Sequence, residues 1–292
     1  MADKIRRERW EVEQRLEFIE FRLFWDRSIR RGDLQEKFGI STPQASADLS
    51  RYRESAPGNM EYDASLKRYV PAIDFMPRYY RPNPDRYLGQ LEALKGGMLV
   101  PEDTFLGYVP DIDILPVPHR SISLSILRKM VEAMQTRRSI RIQYQSMNDQ
   151  RPDPTWRTIS PHALGTDNMR WHVRAYCHLE GKHKDFIISR CLEVGELGEP
   201  HEAASNDPEW QNVFNIVLVP NPALAEAQRK TIELDYGMTN GQTVIPVRHA
   251  LLYYFGKRMR LDVAAHADRP KETPVVINNR PEYDALLERL AT

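Results

Sequence analysis

The chain has 292 residues, 41% hydrophobic and 28% charged, with 41 basic side chains against 41 acidic ones. Its length suits two or three domains, no apolar run approaches the ~20 residues of a membrane span, and two cysteines, Cys177 and Cys191, cannot frame a disulfide scaffold. Secreted, membrane and collagen-like classes are therefore excluded, and a reducing, cytoplasmic setting is expected.

Residues 10–31 read as one long helix. Leu16, Ile19, Leu23 and Phe24 form one apolar stripe, and Phe18, Phe21 and Trp25 a second on the opposite side. A helix apolar on two faces must be covered on both, by its own domain and by another domain or subunit. Arg31–Tyr52 then reads as a short helix, a turn and a second helix. Leu34 and Phe38 share a face, Gly39 suits a left-handed helix end, and Ile40 plugs the angle between the helices. Ser41 and Gln44 form a capping box around Pro43. Ala45, Leu49 and Tyr52 point inward at i, i+4, i+7. The opposite face carries Gln44, Ser46, Ala47, Ser50 and Arg51, small and polar, with donors suited to base edges in a major groove. Ser41 and Thr42 offer hydroxyls to phosphate oxygens. A turn at Pro57-Gly58-Asn59 and two short strand-like runs, Met60–Asp63 and Leu66–Val70, follow. Three helices and a hairpin resemble a winged helix-turn-helix, with Lys67 and Arg68 on the wing beside backbone phosphate. The competing reading is an ordinary helical hairpin in a core.

Residues 72–118 are proline-rich and read as a linker with one or two helices, one of them Pro84–Leu94; Ser125–Thr136 reads as a further helix. From Ser139 the period changes to two. Ile140, Ile142 and Tyr144 alternate with polar residues, Trp156–Ile159 suggests a second strand, and in Arg170–His178 the side chains Trp171, Val173, Ala175 and Cys177 oppose His172, Arg174, Tyr176 and His178. Asp185–Arg190 repeats the pattern. Several short strands with turns between them read as a small barrel. Residues 137–190 carry ten basic and five acidic side chains, and residues 191–292 ten and fifteen, so a module that faces an anion precedes a separate acidic module. A strand face of His, Arg and Tyr is either a solvated outer face or a ligand surface. Arg174 and Arg190 on neighbouring strands could pair their guanidiniums on a phosphate or carboxylate, with His162 adding a donor from the adjoining loop. Tyr144 and Trp171 offer stacking surfaces, although Trp171 equally suits a core.

Trp171-His172-Val173-Arg174-Ala175-Tyr176, with Ile159-Ser160-Pro161 before it and Phe186-Ile187-Ile188-Ser189-Arg190 after it, resembles the WYL domain, over roughly residues 120–200. The triplet here is Trp-His-Val, so no role of the namesake tyrosine carries over. The order of segments is similar to WYL-domain transcriptional regulators of bacteria, especially the repressors of phage-defence islands. The resemblance implies an α+β multidomain chain. Its parts are a winged helix-turn-helix DNA-binding domain (1–72), a linker with helices (73–119), an SH3/Sm-like β-barrel that senses a ligand (120–200), and a small C-terminal α/β dimerisation domain (201–292). It also implies a homodimer on an inverted-repeat DNA operator, with a nucleotide or oligonucleotide effector. The expected ligand-binding set is Tyr144, Ser146, His162, Trp171, His172, Arg174 and Arg190.

In the C-terminal segment, Glu196–Pro208 reads as a polar linker, Phe214–Pro220 as a strand, Pro222–Arg229 as a helix and Thr231–Tyr236 as another alternating strand. An aromatic-rich helix within Thr243–Met259 follows. It is either a closed core or a dimer surface.

No Walker loop, Gly-x-Ser-x-Gly elbow, His-Glu-x-x-His or Cys-x-x-Cys is present. No catalytic residues, metal or cofactor are expected, and no membrane partner. Three readings stay open: a ligand-responsive repressor, an RNA- or single-strand-binding adaptor using the basic barrel, and a nucleic-acid-processing enzyme.

Overall fold

The structure, a computed structural model, describes residues 2–149, 152–200, 206–261 and 269–291, with side chains from Arg9 onward. The chain divides into two compact units, residues 1–116 and 117–292.

In the first unit α1 (Ala2–Trp25) begins earlier than its apolar stripes suggest and stops at Trp25 rather than residue 31. It stops because Arg27 takes a left-handed conformation (φ 60°), which turns the chain so that Ile29 can bridge Tyr69. Helices α2 (Arg31–Phe38) and α3 (Thr42–Ser55) follow, separated by Gly39 at φ 62°. Half of the expected capping box forms: the Ser41 hydroxyl accepts the Gln44 N–H, whereas the Gln44 side chain turns to Asp48. The hairpin is β1 (Met60–Asp63) paired antiparallel with β2 (Arg68–Pro71), so Leu66 and Lys67 lie in its turn rather than in a strand. The core gathers Leu16, Ile19 and Leu23 of α1 with Leu34, Ala45, Leu49, Tyr52 and Met60.

Of the second stripe of α1, Phe18 joins this core against Phe38 of α2 and also meets Phe105, while Phe21 and Trp25 are covered by the proline-rich segment of the same unit. Phe21 meets Tyr80 and Phe105 edge to face at 5.2 and 5.7 Å, and Trp25 stacks on Tyr87 of α4 (Pro84–Lys95) at 4.1 Å. A buried carboxylate fixes this cover. Glu20, fully enclosed, accepts the successive backbone N–H groups of Arg78, Tyr79 and Tyr80 and the hydroxyl of Tyr52.

In the second unit α5 (Leu124–Thr136) packs Ile126, Met130 and Ala133 onto a five-stranded antiparallel sheet of order β6-β5-β4-β3-β7. The strands are β3 (Arg138–Tyr144), β4 (Thr155–Thr166), β5 (Trp171–Cys177), β6 (Lys182–Ile187) and β7 (Cys191–Pro200). The predicted Asp185–Arg190 strand ends at Ile187, and Ile188–Arg190 forms a tight helical turn. Much of the predicted Glu196–Pro208 linker is the end of β7, and its residues 201–205 lie outside the described ones. A short helix α6 (Pro208–Gln211) leads to a second sheet, β10-β8-β9, of β8 (Val213–Pro220), β9 (Thr243–Arg248) and β10 (Val275–Ile277).

The alternation in Thr231–Tyr236 is misleading: these residues belong to α7 (Glu226–Asp235) and its C-cap, where Ile232 and Tyr236 pack four apart and Leu234 is 83% exposed. The predicted Pro222–Arg229 helix is this same helix, starting later. Helices α8 (Leu252–Arg258) and α9 (Arg280–Ala291) close the second core around Ile216, Leu218, Val275 and Leu286. Gly256 is required there, since any Cβ would overlap the Tyr283 hydroxyl that caps the Leu252 carbonyl.

Candidate nucleic-acid interface and effector site

On α3 the inward positions are Ala45, Leu49 and Tyr52, each at most 2% exposed, and also Asp48, at 1%. A bare carboxylate there would be costly. Arg15 of α1 answers it with an Nε–Oδ2 contact of 2.7 Å, and Gln44 donates to the other oxygen at 3.1 Å. This buried pair ties the second helix of the motif to α1. Gln44, Ala47, Ser50 and Arg51 are exposed on the outer face. Thr42 accepts from Gln35 at 2.9 Å, and Ser46, half-buried, from Arg31 at 3.2 Å, which brings Arg31 beside the outer face. At the hairpin, Asp63 accepts the N–H groups of Ser65 and Leu66, folding a tight turn with exposed Lys67 at φ 51°. Arg68 departs from the expected wing position. It is half-buried, and its guanidinium turns inward to Ser28 at 3.2 Å.

In the second unit the predicted ligand set does not converge on one place. Tyr144 is core: it is 7% exposed, edge-on to Phe186 at 5.1 Å, and its hydroxyl accepts the Ile187 N–H. It offers no stacking face; Arg190 lies beside its hydroxyl. Ser146 sits in the loop after β3 and accepts the N–H of Asn148. Trp171, at the start of β5, is 48% exposed and is not core.

Arg174 makes no pair with Arg190. It is 3% exposed, and its Nε and one terminal nitrogen fork onto Asp207 at 2.6 and 3.1 Å. It also meets Glu209 at 2.7 Å and Asp185 at 3.4 Å. His162 lies within β4 rather than in a loop, at a bulge between Pro161 and Ala163, and the bulge aims it at the same Asp207 at 3.1 Å. Burial by itself raises the Asp207 carboxyl, but the hydrogen bonds from His162 and Arg174 prevail and hold it far below the usual carboxylate range. Asp185 is raised by burial despite Arg174. The basic face of β5 is therefore occupied by carboxylates of its own chain.

Model-family matches follow the same division. Residues 11–93 match the BrxR transcriptional regulator winged helix-turn-helix domain, 125–195 the WYL domain, and 213–283 the BrxR transcriptional regulator C-terminal dimerization domain. Three curated relatives, each described as a DNA-binding transcriptional repressor CapW, align over nearly the whole chain. The Stenotrophomonas maltophilia protein is 38% identical over 278 residues, covering 94% of this chain and 91% of its own. The Escherichia coli (strain KTE188) and Pseudomonas aeruginosa proteins are each 36% identical, over 281 and 280 residues, covering 96% of this chain and 93% of theirs. The chain belongs to the CapW family.

In this CapW-family chain the residue where the WYL domain has its namesake tyrosine is His172, 2% exposed, with both ring nitrogens lacking a hydrogen-bond partner. Its ring lies 4.6 Å from that of Tyr254 on α8. Burial lowers its pKa, against the pull of Asp185 and Asp167. Among the described residues His162, His183 and Asp207 bring ligand atoms within 4.8 Å of one another, a spacing that could hold a metal ion. The Arg174 fork on both Asp207 oxygens sets a fixed positive charge against that use. Sequence reasoning missed Asp48, Arg15, Arg31, Asp207 and Tyr254. Only Asp48 left a local trace, as an acid at an inward position between Ala45 and Tyr52. No helix of the described residues is long and apolar enough to cross a membrane.

Proposed function

We propose that the protein is a homodimeric, effector-responsive transcriptional repressor that inserts α3 into the major groove of an inverted-repeat operator. The observation that carries this reading is the exposed small polar face of α3, held from behind by the buried Arg15–Asp48 pair. Small residues Ala47 and Ser50 allow close approach, Gln44 and Arg51 reach base edges, and Ser41, Thr42, Ser46 and Lys67 take phosphates. The match of residues 213–283 to a dimerization domain supports two heads on a two-fold axis, so half-sites should lie about one helical turn apart or a multiple of it. An anionic, nucleotide-like effector bound in the second unit would favour one setting of the heads over another.

The test is a gel shift with duplex DNA from upstream of the gene. Specific binding that weakens steeply with salt is expected, one dimer per duplex by solution mass. Arg51→Ala should reduce operator affinity by about 1–3 kcal/mol without lowering the melting temperature. Preference for single strands, or an Arg51→Ala protein that binds like the parent, would overturn the assignment.

A further inference from the structure

The arginine expected to hold the effector, Arg174, is engaged by Asp185, Asp207 and Glu209, so an effector that kept these ion pairs would need another anion site. One concave region of the second unit has the required chemistry. It lies between the β4–β5 turn and α8, with a cavity of about 250 Å³ lined by Arg120, Arg170, Lys257 and Arg258, by Tyr253 and Tyr254, and by Asp167 and Met169. Four cations face one carboxylate. Asp167 is already engaged by Arg170 at 2.9 Å, while Arg258 donates to the Asp167 backbone carbonyl. The two tyrosine rings adjoin at 5.6 Å, Tyr253 is 57% exposed, and one cation lies over each ring, Arg170 over Tyr254 and Lys257 over Tyr253.

A second cavity of about 520 Å³ continues from the first through shared Asp167, Tyr254 and Arg258, and is walled by apolar Ile245, Val247, Leu251 and Phe255. Beneath Tyr254 lies His172, 98% enclosed, with neither nitrogen bonded. An Asp167 carboxylate oxygen lies 3.8 Å from its Nε2, so the floor of the cleft is polar.

We infer that this cleft binds a nucleotide unit, free or as the end of a short single strand, with phosphates on Arg120, Arg170, Lys257 and Arg258 and the base on the tyrosines and the adjoining apolar wall. A guanidinium and ammonium cluster recognises phosphate, and tyrosine faces stack any base. The two cavities together match the size of ordinary small-ligand sites. The inference rests on the effector reading above and relocates it. The ligand would bridge the WYL sheet, through the β4–β5 turn, and the dimerization domain, through α8. It would thereby act on dimer geometry directly.

The experiment is calorimetric titration of the full chain with ATP and, separately, with 5′-phosphorylated tetrathymidylate, at low and moderate salt. Binding of either probe that weakens with salt is expected, and the tighter of the two identifies the source. The double substitution Arg120→Glu with Lys257→Glu, both exposed positions, should weaken binding by about a hundredfold, and Tyr253→Ala by about tenfold. Lys230→Glu on α7, outside the cleft, should leave binding unchanged. Circular dichroism melting confirms that each variant folds. Equal binding by the parent and the double variant, or no binding of either probe up to about 1 mM, overturns the cleft assignment. A gel shift of the parent protein run in parallel reports on the repressor reading independently, since it can fail while the titration succeeds, and the reverse.

Discussion

Asp48→Ala tests the link between the buried pair and the helix proposed to enter the groove. Asp48 is 1% exposed and Arg15 8%, with the charged groups 2.7 Å apart. At an effective dielectric near 20, opposite charges ~4 Å apart attract by ~4 kcal/mol. Removing the carboxylate strands the Arg15 guanidinium under α3, and a buried charge left alone destabilises by about 3–5 kcal/mol. For a unit of this size that is a fall of very roughly 10–20 °C in melting temperature. The variant also frees Gln44 from its 3.1 Å contact, so operator affinity should fall although Asp48 faces no groove. Calorimetric melting of the full chain, with hydrogen exchange of the α3 amides, measures the first effect and a gel shift the second. Replacing both partners by apolar residues, Arg15→Met with Asp48→Leu, should recover most of the stability, because the penalty lies in the unpaired charge. A loss below about 1 kcal/mol for Asp48→Ala, the size found for exposed pairs, would refute the reasoning.

Arg174→Ala should destabilise the second unit by about 3–5 kcal/mol in urea unfolding, because Asp185, Asp207 and Glu209 lose their shared cation. Glu20→Ala should loosen the proline-rich cover of α1 by several kcal/mol, since three backbone donors lose their acceptor at once; limited proteolysis near residues 78–80 reads this directly. His172 has a lowered pKa, so the unfolded chain binds the extra proton more readily. Stability should therefore fall as pH drops below the ordinary value of 6.5, and His172→Leu should flatten the urea midpoint between about pH 7 and pH 5.5. Asp207 has the opposite origin and a lower window. Its depressed carboxyl contributes stability above 3.8 that is lost as pH falls through its folded value, so that loss should remain in the His172→Leu protein.

The head was legible because its signals are local. Inward Ala45, Leu49 and Tyr52 follow helical spacing, Gly39 marks the turn, and Met60–Asp63 shows strand composition between turn residues. The surroundings of His172 and Arg174 were not, because their determinants are distant in sequence. Strand alternation correctly put His172 and Arg174 on one face of β5, but nothing in that pattern shows that residues 33 and 82 positions downstream, Asp207 and Tyr254, cover that face. His162 was misplaced for a related reason: a bulge breaks the period of two that would have put it in a strand. Thr231–Tyr236 shows the reverse failure, in which short alternation arose by chance on a helix with one exposed leucine.

The aromatic belt formed by Tyr80, Tyr87 and Phe105 around the far side of α1 bears on how the molecule is dissected. A fragment clipped after the hairpin, at residue 72, would bare Phe21 and Trp25 to water and tend to clump. A piece that keeps both flanks of that helix dry must run past Phe105, and the first compact unit ends at residue 116, so the prolines there serve as a girdle as much as a tether.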